Sequence, residues 1–413
     1  MKKIIALILM ILLVFCMALS AHAGLVKRKS KVIPTKTILG IERMQEPEIA
    51  AIFAGKRVGV FTNQSGIDSK LNSSIDLLRD KLTVNAIFVP EHGLLGAVAA
   101  GEKFSDSKYE GITVYSLYGN SRRPSKEMLE SIDIIAVDIQ DVGVRHYTYT
   151  SSLAYIMEEC AKFNKQVVVF DRPNPLGGAI QGPVLKEKFK SFIGLYTIPL
   201  RHGLTIGEFA AYINTEEKIN CNLKVIPMKN WRRSMLWQDT KLPWVQTSPL
   251  IPTAETTFLY GTTGVCGDTN LSVGVGTAKP FYFIGAPFAD ADKVVKSLQN
   301  LGIEGVAFRK AAFTPKYGKY KDELVKGAEI YILNPREVNF PELGYLLANT
   351  MQKLYSKEMA ELPARSGSKG LVVEIALGED SLVKQEEPVK VFARWRQECQ
   401  LFKEKSSPYL LYK

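Results

Sequence analysis

Three of the four histidines and several carboxylates lie in short polar segments whose residue types could do chemistry. His92 follows Glu91 in the tripeptide EHG, His146 lies in RHYTY, and His202 lies in RHG. Their spacing matches no helical His-x-x-x-His device or other common metal-ligand pattern, so a metal site is disfavoured. A serine hydrolase is disfavoured as well, because no G-x-S-x-G turn follows a strand-like run.

Carboxylates fit the pattern better, and Glu91 is the first candidate. It follows an apolar run that ends at Pro90, so we expect it at the end of a strand in a region of low dielectric constant. Such burial raises the pKa of a carboxyl group and makes it a proton donor at neutral pH. Position alone leaves a second interpretation open, in which Glu91 merely caps the next segment.

Polar side chains follow each of several predicted strands. Apolar runs at 57–62, 84–90, 112–116, 132–138 and 166–171 alternate with helical spacing, which predicts an α/β fold with a mostly parallel sheet covered on both faces. No G-x-G-x-x-G follows the first run, so a dinucleotide site is not supported. The polar residues at the ends of these runs or just after them are Asn63, Gln64, Glu91, His92, Asp138, Gln140, Asp141, Asp171 and Arg172. Because ligands bind at the carboxyl ends of parallel strands, we expect these side chains in one crevice.

The second half of the chain has a different pattern. A helix near 205–214 and a strand at 223–227 complete the first region. Beyond it, strands at 305–308, 329–333 and 371–375 and helices near 290–301 and 342–355 predict a smaller α+β domain. The predicted organisation is a signal peptide at 1–23, a flexible lead-in at 24–36, a first domain at 37–262 and a C-terminal domain at 263–413.

The N-terminal segment predicts export to the periplasm or the extracellular space. Two lysines precede an apolar run at 4–19, and Ala21-His22-Ala23 is typical of a signal-peptidase site. The run is shorter than the roughly 20 residues that span a membrane, which disfavours an uncleaved anchor. No later segment is apolar for long enough to span a bilayer, so no transmembrane segment is expected after cleavage.

The chain is basic, with 53 Lys and Arg against 42 Asp and Glu. This balance suits an anionic polymer such as peptidoglycan or an acidic membrane surface, although solubility explains it equally well. No basic run is interleaved with aromatic residues, so nucleic acid is not an expected partner.

A series of short runs occurs in order over almost the whole chain after the N-terminal segment. They are FVPEHG at 88–93, YSLYG at 115–119, DIQDVG at 138–143, YTY at 147–149, DRPNP at 171–175, RHGLTIGE at 201–208, IPT at 251–253, NLS at 270–272, GAP at 285–287 and YLLY at 409–412. Together they resemble the NamZ family of exo-β-N-acetylmuramidases, formerly a domain of unknown function. Several runs exceed five residues, so the resemblance is more specific than any single motif.

The resemblance implies an enzyme that releases N-acetylmuramic acid from the non-reducing end of peptidoglycan fragments, either muropeptides or oligosaccharides of N-acetylmuramic acid and N-acetylglucosamine. It also implies a Rossmann-like first domain, with the active-site cleft between it and the second domain. From the motifs that are missing, neither a cofactor nor a metal is expected. Glu91 would be the general acid on the glycosidic oxygen, with His92 beside it. Asp138 and Asp141 would orient water or stabilise the oxocarbenium-like transition state.

Substrate binding is predicted for further residues of the same segments. Arg145, Arg172 and Arg201 are expected partners for the lactyl carboxylate of the substrate, because a guanidinium binds a carboxylate through two parallel hydrogen bonds. Each of these arginines could equally form a structural ion pair with a neighbouring aspartate. The predicted substrate-binding set is Asn63, Gln64, Arg145, Tyr147, Tyr149, Arg172, Asn174, Arg201, His202 and Asn270.

Two segments depart from the family pattern. Relatives usually read P-S-P-N-I-P-T where this chain reads TSPLIPT at 247–253, which loses an asparagine. A family carboxylate and a family arginine are also absent, at Gly267 and Val275. These losses support an alternative function, a catalytically impaired envelope protein that binds muropeptides. Inverting, retaining and lyase-like chemistry all stay open.

Overall fold

The computed structural model describes residues 36–360, 362–363 and 370–413. The predicted signal peptide lies outside the described residues, as does the predicted lead-in apart from Lys36. Export therefore stays a prediction.

Strands and helices alternate through the first half of the described chain. The strands are β1 (Arg57–Phe61), β2 (Thr83–Val89), β3 (Ser107–Tyr109), β4 (Ile112–Ser116), β5 (Ile134–Val137), β6 (Gln166–Phe170), β7 (Gln181–Val184), β8 (Pro199–Arg201) and β9 (Asn222–Ile226). The helices are α1 (Pro47–Ala50), α2 (Ser74–Arg79), α3 (Lys126–Glu130), α4 (Tyr149–Lys162) and α5 (Ile206–Glu216). This order confirms the predicted α/β fold.

The central sheet has the strand order β3-β4-β2-β1-β5-β6-β9. All neighbouring strands in it are parallel except the edge strand β3, which runs antiparallel to β4. The chain winds outward from β1 in one direction through β2 and β4, and in the other through β5, β6 and β9. Crossover connections of this kind place the loops after the parallel strands along one edge, where α/β proteins bind ligands.

Both faces of the sheet are covered, which explains why its strands are continuously apolar. In β5, Ile134 and Ala136 pack into one buried cluster, while Ile135 and Val137 pack into a second cluster on the other face. The same alternation holds in the neighbouring strands. The side chains at the carboxyl ends of the strands are therefore supported by a core on each side.

The second half of the chain forms smaller elements. They are α6 (Thr256–Thr263), β10 (Phe283–Ala286), α7 (Ala291–Gln299), β11 (Val306–Phe313), β12 (Val325–Ile332), α8 (Phe340–Leu354), α9 (Val372–Leu377) and α10 (Pro388–Ser406). β10, β12 and β11 form an antiparallel sheet in that order, and β7 pairs with β8 in a separate two-stranded sheet. The mixed α+β composition confirms the predicted class of this region.

The prediction of a strand at 371–375 is wrong, because Val372–Leu377 is the helix α9. Its first turn is capped by Glu374, whose side chain accepts a hydrogen bond from the backbone N–H of Leu371 at 2.9 Å. Gly378, with φ of 83°, ends it in the left-handed conformation that favours glycine.

One buried apolar cluster joins the two halves of the chain. It extends from Phe61 in β1 to Phe402 in α10 and includes Phe258 in α6 and Ile330 in β12. The predicted boundary near 262 falls at the end of α6, inside this packing. The division into two domains stays a prediction. Among the described residues, none of the helices combines the length and apolar character needed to cross a bilayer.

Candidate active site

The segment after β2 carries Glu91 into the edge of the sheet where the parallel strands end. β2 ends at Val89, and Pro90 separates it from Glu91, which is 7% exposed. His92 follows with φ of 75° and Gly93 with φ of 72°. A left-handed conformation is uncommon for a residue other than glycine and often occurs at functional sites. The chain thus turns sharply immediately after the candidate acid.

Two donors fix the carboxyl group of Glu91. The hydroxyl of Thr148 donates to Oε2 at 2.7 Å, and the backbone N–H of Gly101 donates to Oε1 at 2.8 Å. Thr148 directly precedes α4 and therefore has a well-defined position. The ring of His92 is held in turn by a hydrogen bond of 2.8 Å between its Nδ1 and the carbonyl oxygen of Val98. The Glu91 side chain is thus oriented before any ligand arrives.

Glu91 lies in a cavity of about 190 Å³, which we call the Glu91 cavity. Its walls come from the loops after β2, β4 and β5, from the segment before α6, and from α6 and Phe281. The lining residues are Glu91, His92, Ala100, Tyr118, His146, Tyr147, Thr148, Ile193, Ser248, Leu250, Ile251, Tyr260 and Phe281. Such a mixture of apolar and aromatic walls with a few polar groups is typical of a small-molecule site.

Most polar groups around Glu91 are electrically neutral. Burial lowers the pKa of His146 to about 3, and the charge of Arg145 lowers it further. The His146 Nδ1 lies 2.6 Å from the hydroxyl of Tyr260. Burial also raises the pKa values of the Tyr147 and Tyr260 phenols. Among the described residues that line the cavity, Glu91 is the one carboxylate.

The structure brings together three of the residues predicted for the site, namely Glu91, His92 and Tyr147. Asp138 also lies at the carboxyl end of a strand, but it is buried away from the cavity in an ion pair with Arg172. Nε of Arg172 lies 2.7 Å from its Oδ1. Neither side chain is more than 3% exposed. These contacts favour the structural alternative for Arg172.

The other predicted polar residues mainly hold loops together. Asp141 accepts a hydrogen bond from the backbone N–H of Gly143, and its Oδ2 lies 3.6 Å from Nε2 of His202. The Asn63 amide donates to the Tyr149 hydroxyl, and the Gln64 amide donates to the carbonyl oxygen of Gln246. The Asn174 amide donates to the carbonyl oxygen of Leu204, and the Asn270 amide donates to that of Glu358. Roles for these residues in catalysis or substrate binding stay predictions.

Arg145 and Arg201 also lie outside the lining of the Glu91 cavity. Arg145 donates to the backbone carbonyl oxygens of Pro183, Ile198, Ala376 and Leu377 and so joins the two halves of the chain. Arg201 donates to the Gln181 side chain and to the carbonyl oxygen of Leu176. Burial lowers the pKa of both guanidinium groups to about 9. Their internal contacts do not favour the predicted binding of a lactyl carboxylate.

Several lining residues escaped the sequence-based prediction. Tyr118 carried a usable signal, because it lies two residues after the end of β4 and within the YSLYG run. His146 lies between two predicted site residues, Arg145 and Tyr147. Tyr260 and Phe281 carried no such signal, since an aromatic residue in an apolar segment is usually part of the core. Only the folded chain places these two aromatic rings beside Glu91.

The two departures from the family pattern have different positions. Leu250 lines the Glu91 cavity, and it stands where the family resemblance leads us to expect an asparagine. Gly267 and Val275 do not line that cavity. Instead, the Lys319 ammonium donates to the carbonyl oxygen of Gly267 at 2.8 Å. The positions where the family carboxylate and arginine are missing therefore lie outside the lining of the Glu91 cavity.

Comparison with known proteins yields consistent matches over nearly the whole described chain. Models of exo-β-N-acetylmuramidase NamZ match residues 58–255 with the N-terminal part and residues 258–412 with the C-terminal part. The peptidoglycan β-N-acetylmuramidase NamZ of Bacillus subtilis is 40% identical over 375 residues, which are 89% of this chain and 90% of that protein.

Two crystal structures of DUF1343 family proteins from Bacteroides fragilis share the fold. The first superimposes with a TM-score of 0.83 at 33% sequence identity, and the second with a TM-score of 0.71 at 27% identity. Each alignment covers 92% of this chain and 99% of the other.

Proposed function

This chain belongs to the NamZ family of exo-β-N-acetylmuramidases, and from that premise we propose that it is a glycosidase that releases N-acetylmuramic acid from the non-reducing end of peptidoglycan fragments. Glu91 is the proposed general acid. The observation that carries this proposal is the position of the Glu91 carboxyl group, which is 7% exposed, fixed by two donors and placed in an aromatic-lined cavity. The proposed place of action is outside the cytoplasm, after removal of residues 1–23.

The chemistry needs a proton at the glycosidic oxygen as the bond to the sugar breaks. Without it, the departing oxygen would leave as an alkoxide, which is a poor leaving group at neutral pH. Glu91 supplies the proton, and the carboxylate that results keeps the hydrogen bonds from Thr148 and Gly101. The side chains of Tyr147, Tyr260 and Phe281 line the cavity and lower the dielectric constant around the donor, which strengthens the electrostatic interactions in the site.

The first experiment replaces the acid and keeps its shape. Glu91→Gln should lower kcat for an alkyl or saccharide β-N-acetylmuraminide by about 10² to 10⁴, the usual contribution of a positioned general acid. A muraminide with a very acidic phenol as leaving group needs little protonation, so Glu91→Gln should retain most of the wild-type activity on it. Glu304→Gln is the matched control, because Glu304 is exposed and far along the chain.

Two outcomes would contradict this assignment. Equal rates for wild type and Glu91→Gln on both substrates would show that Glu91 is not the acid. A lowered melting temperature with unchanged activity per folded molecule would show that Glu91 only caps its segment. If the wild type cleaves no muraminide but binds muropeptides in calorimetry, the chain is the impaired binding protein that the changes at Gly267 and Val275 suggest.

A further inference from the structure

A second cavity of about 520 Å³ adjoins the Glu91 cavity. Tyr118 lines both of them, and Gly101 in the second follows Ala100 in the first. We call this second cavity the Arg122 groove, because Arg122 lines it. A ligand whose glycosidic bond lies at Glu91 therefore has room to extend past Tyr118.

The Arg122 groove is cationic. Its charged lining residues are Lys103, Arg122 and Arg123, and none of its lining residues is acidic. Arg123 is neutralised, since Glu158 lies 2.6 Å and Glu159 lies 3.0 Å from its guanidinium. No ion pair joins Arg122 to any carboxylate within residues 36–360, 362–363 and 370–413. The two adjacent arginines thus differ in their ion pairing. Among the described residues Arg122 has no acidic partner, and it lies next to the Glu91 cavity.

Aromatic rings hold the Arg122 guanidinium in place. Its central carbon lies 4.0 Å from the ring centroid of Phe192 and 5.1 Å from that of Tyr118. Both rings are less than 10% exposed, at 7% and 9%, so they are fixed by their own packing. Contact with the ring faces restrains the guanidinium. A guanidinium carries five N–H donors, so its hydrogen bond with the Tyr118 hydroxyl still leaves donors for a planar anion.

Tyr118 places Arg122 in the same electrostatic environment as the acid. Burial raises the pKa of the Tyr118 phenol, the Glu91 carboxylate raises it further, and the Arg122 guanidinium opposes this rise. A single side chain therefore lies within reach of both Glu91 and Arg122. Because Tyr118 also lines both cavities, a saccharide bound at Glu91 would pass this side chain to reach Arg122.

We propose that the Arg122 groove binds a carboxylate of the saccharide substrate, with the Arg122 guanidinium as its partner. This assignment rests on the proposed function. Two carboxylates could fill the role, the lactyl carboxylate of N-acetylmuramic acid itself or a carboxylate of the attached stem peptide. Both present the planar, two-oxygen acceptor that a guanidinium binds with two hydrogen bonds. Arg122 is a specificity-determining residue under this proposal, and it takes no part in proton transfer.

The test compares substrates that differ only in the carboxylate. Chromogenic β-N-acetylmuraminides would carry a free lactyl carboxylate, a lactyl methyl ester, or a lactyl amide to a dipeptide with a free carboxyl end. Arg122→Ala should raise KM by about tenfold or more for the substrate whose carboxylate it binds, because hydrogen bonds to charged groups contribute about that much. For the methyl ester, wild type and variant should have the same KM. Arg122→Lys should fall in between, since it keeps the charge and loses the fork.

The controls separate binding from folding and from catalysis. Arg232→Ala removes an exposed arginine elsewhere and should change no KM. Arg122 is half-buried at the groove, so the melting temperature of Arg122→Ala should stay close to that of the wild type. A KM effect on the free lactyl acid identifies the lactyl group as the source, and an effect confined to the dipeptide amide identifies the stem peptide.

The proposal and the activity fail in different ways. An equal rise in KM for acid and ester, or no rise for any substrate, would overturn the role of Arg122 while leaving the glycosidase intact. If the wild type cleaves none of the substrates, the proposed activity fails, and calorimetric binding of the free acid and the methyl ester to both proteins tests Arg122 directly. Equal affinities of Arg122→Ala and wild type for the free acid would then overturn the proposed role of Arg122.

Discussion

Asp138 follows β5 directly and is completely buried. Nε and Nη2 of Arg172 donate to its two carboxylate oxygens at 2.7 and 2.9 Å. The sequence correctly predicts both residues at the ends of strands, but it cannot show that the two side chains form an ion pair with each other. Glu91 also lies just beyond a strand, yet its donors are a hydroxyl and a backbone N–H, and it lines a cavity. The difference between a structural and a catalytic carboxylate lies in these partners.

Asp138→Ala should therefore act on stability. Removing one partner of a buried pair leaves an uncompensated charge, which costs about 3 to 5 kcal/mol of the free energy of unfolding. Chemical denaturation would measure this loss, and activity per folded molecule should change little. Asp292→Ala is the control, because the Asp292–Lys310 pair is largely exposed and should contribute about 0 to 1 kcal/mol. A stable Asp138→Ala protein without turnover would instead support the predicted catalytic role.

At the level of elements, long apolar runs were predictable and short or polar ones were not. β1, β2, β5 and β6 have both faces buried, so their sequences are strongly apolar. β3 has only three residues, two of them exposed, and carries no periodic signal. α6 contains four threonines within Thr256–Thr263, which are poor helix formers, and its packing with α8 overrides that preference. Tyr260 lies in this helix, and its position beside Glu91 depends on that packing.

Asp171 joins β6, α5 and the C-terminal segment. Its carboxylate accepts hydrogen bonds from the Thr205 hydroxyl at 2.8 Å, the Gly207 N–H at 2.8 Å and the Tyr412 hydroxyl at 2.5 Å. Burial raises the pKa of Asp171 to about 7, the hydrogen bond from Tyr412 opposes the rise, and the charge of Glu208 adds to it. An aspartate in an unfolded chain has a pKa of about 4, so the folded state retains a proton that the unfolded state has lost.

Stability should consequently fall as the pH rises from about 4 to about 7, the window between the two pKa values. Asp171→Asn cannot ionise, and its melting temperature should lack this part of the pH dependence. Calorimetric scans of both proteins across this range would measure the difference in slope. Asp292→Asn, an exposed control, should keep the wild-type slope. Parallel curves for wild type and Asp171→Asn would refute the raised pKa.

At the scale of the whole molecule, the sequence predicts two domains, but the described residues of both regions share one continuous apolar core. The large apolar cluster includes residues of the parallel sheet, of α6, of the antiparallel sheet and of α10. Arg145 adds hydrogen bonds from the loop after β5 to Ala376 and Leu377 in α9. The spacing of apolar residues in a sequence indicates whether each segment is a helix or a strand. It does not show which distant segments pack into the same core.

The shared core predicts one cooperative unfolding transition for residues 36–413. Scanning calorimetry should give a single peak whose calorimetric and van't Hoff enthalpies agree, as they do for a two-state protein. Separate fluorescence and circular-dichroism melts should coincide. Two resolved peaks would instead show that the predicted domains at 37–262 and 263–413 unfold independently.

The left-handed backbone at His92 favours glycine at this position, whereas the cavity that its ring lines favours histidine. In a library randomised at this position, a screen for yield of soluble protein should enrich glycine, which adopts φ of 75° without steric cost. Valine and isoleucine should disappear from that pool, because a branched side chain is strongly disfavoured there. A screen of the same library for sugar release should recover histidine, whose ring lines the Glu91 cavity. The difference in soluble yield between the glycine and histidine variants would measure how much stability this position loses in exchange for activity.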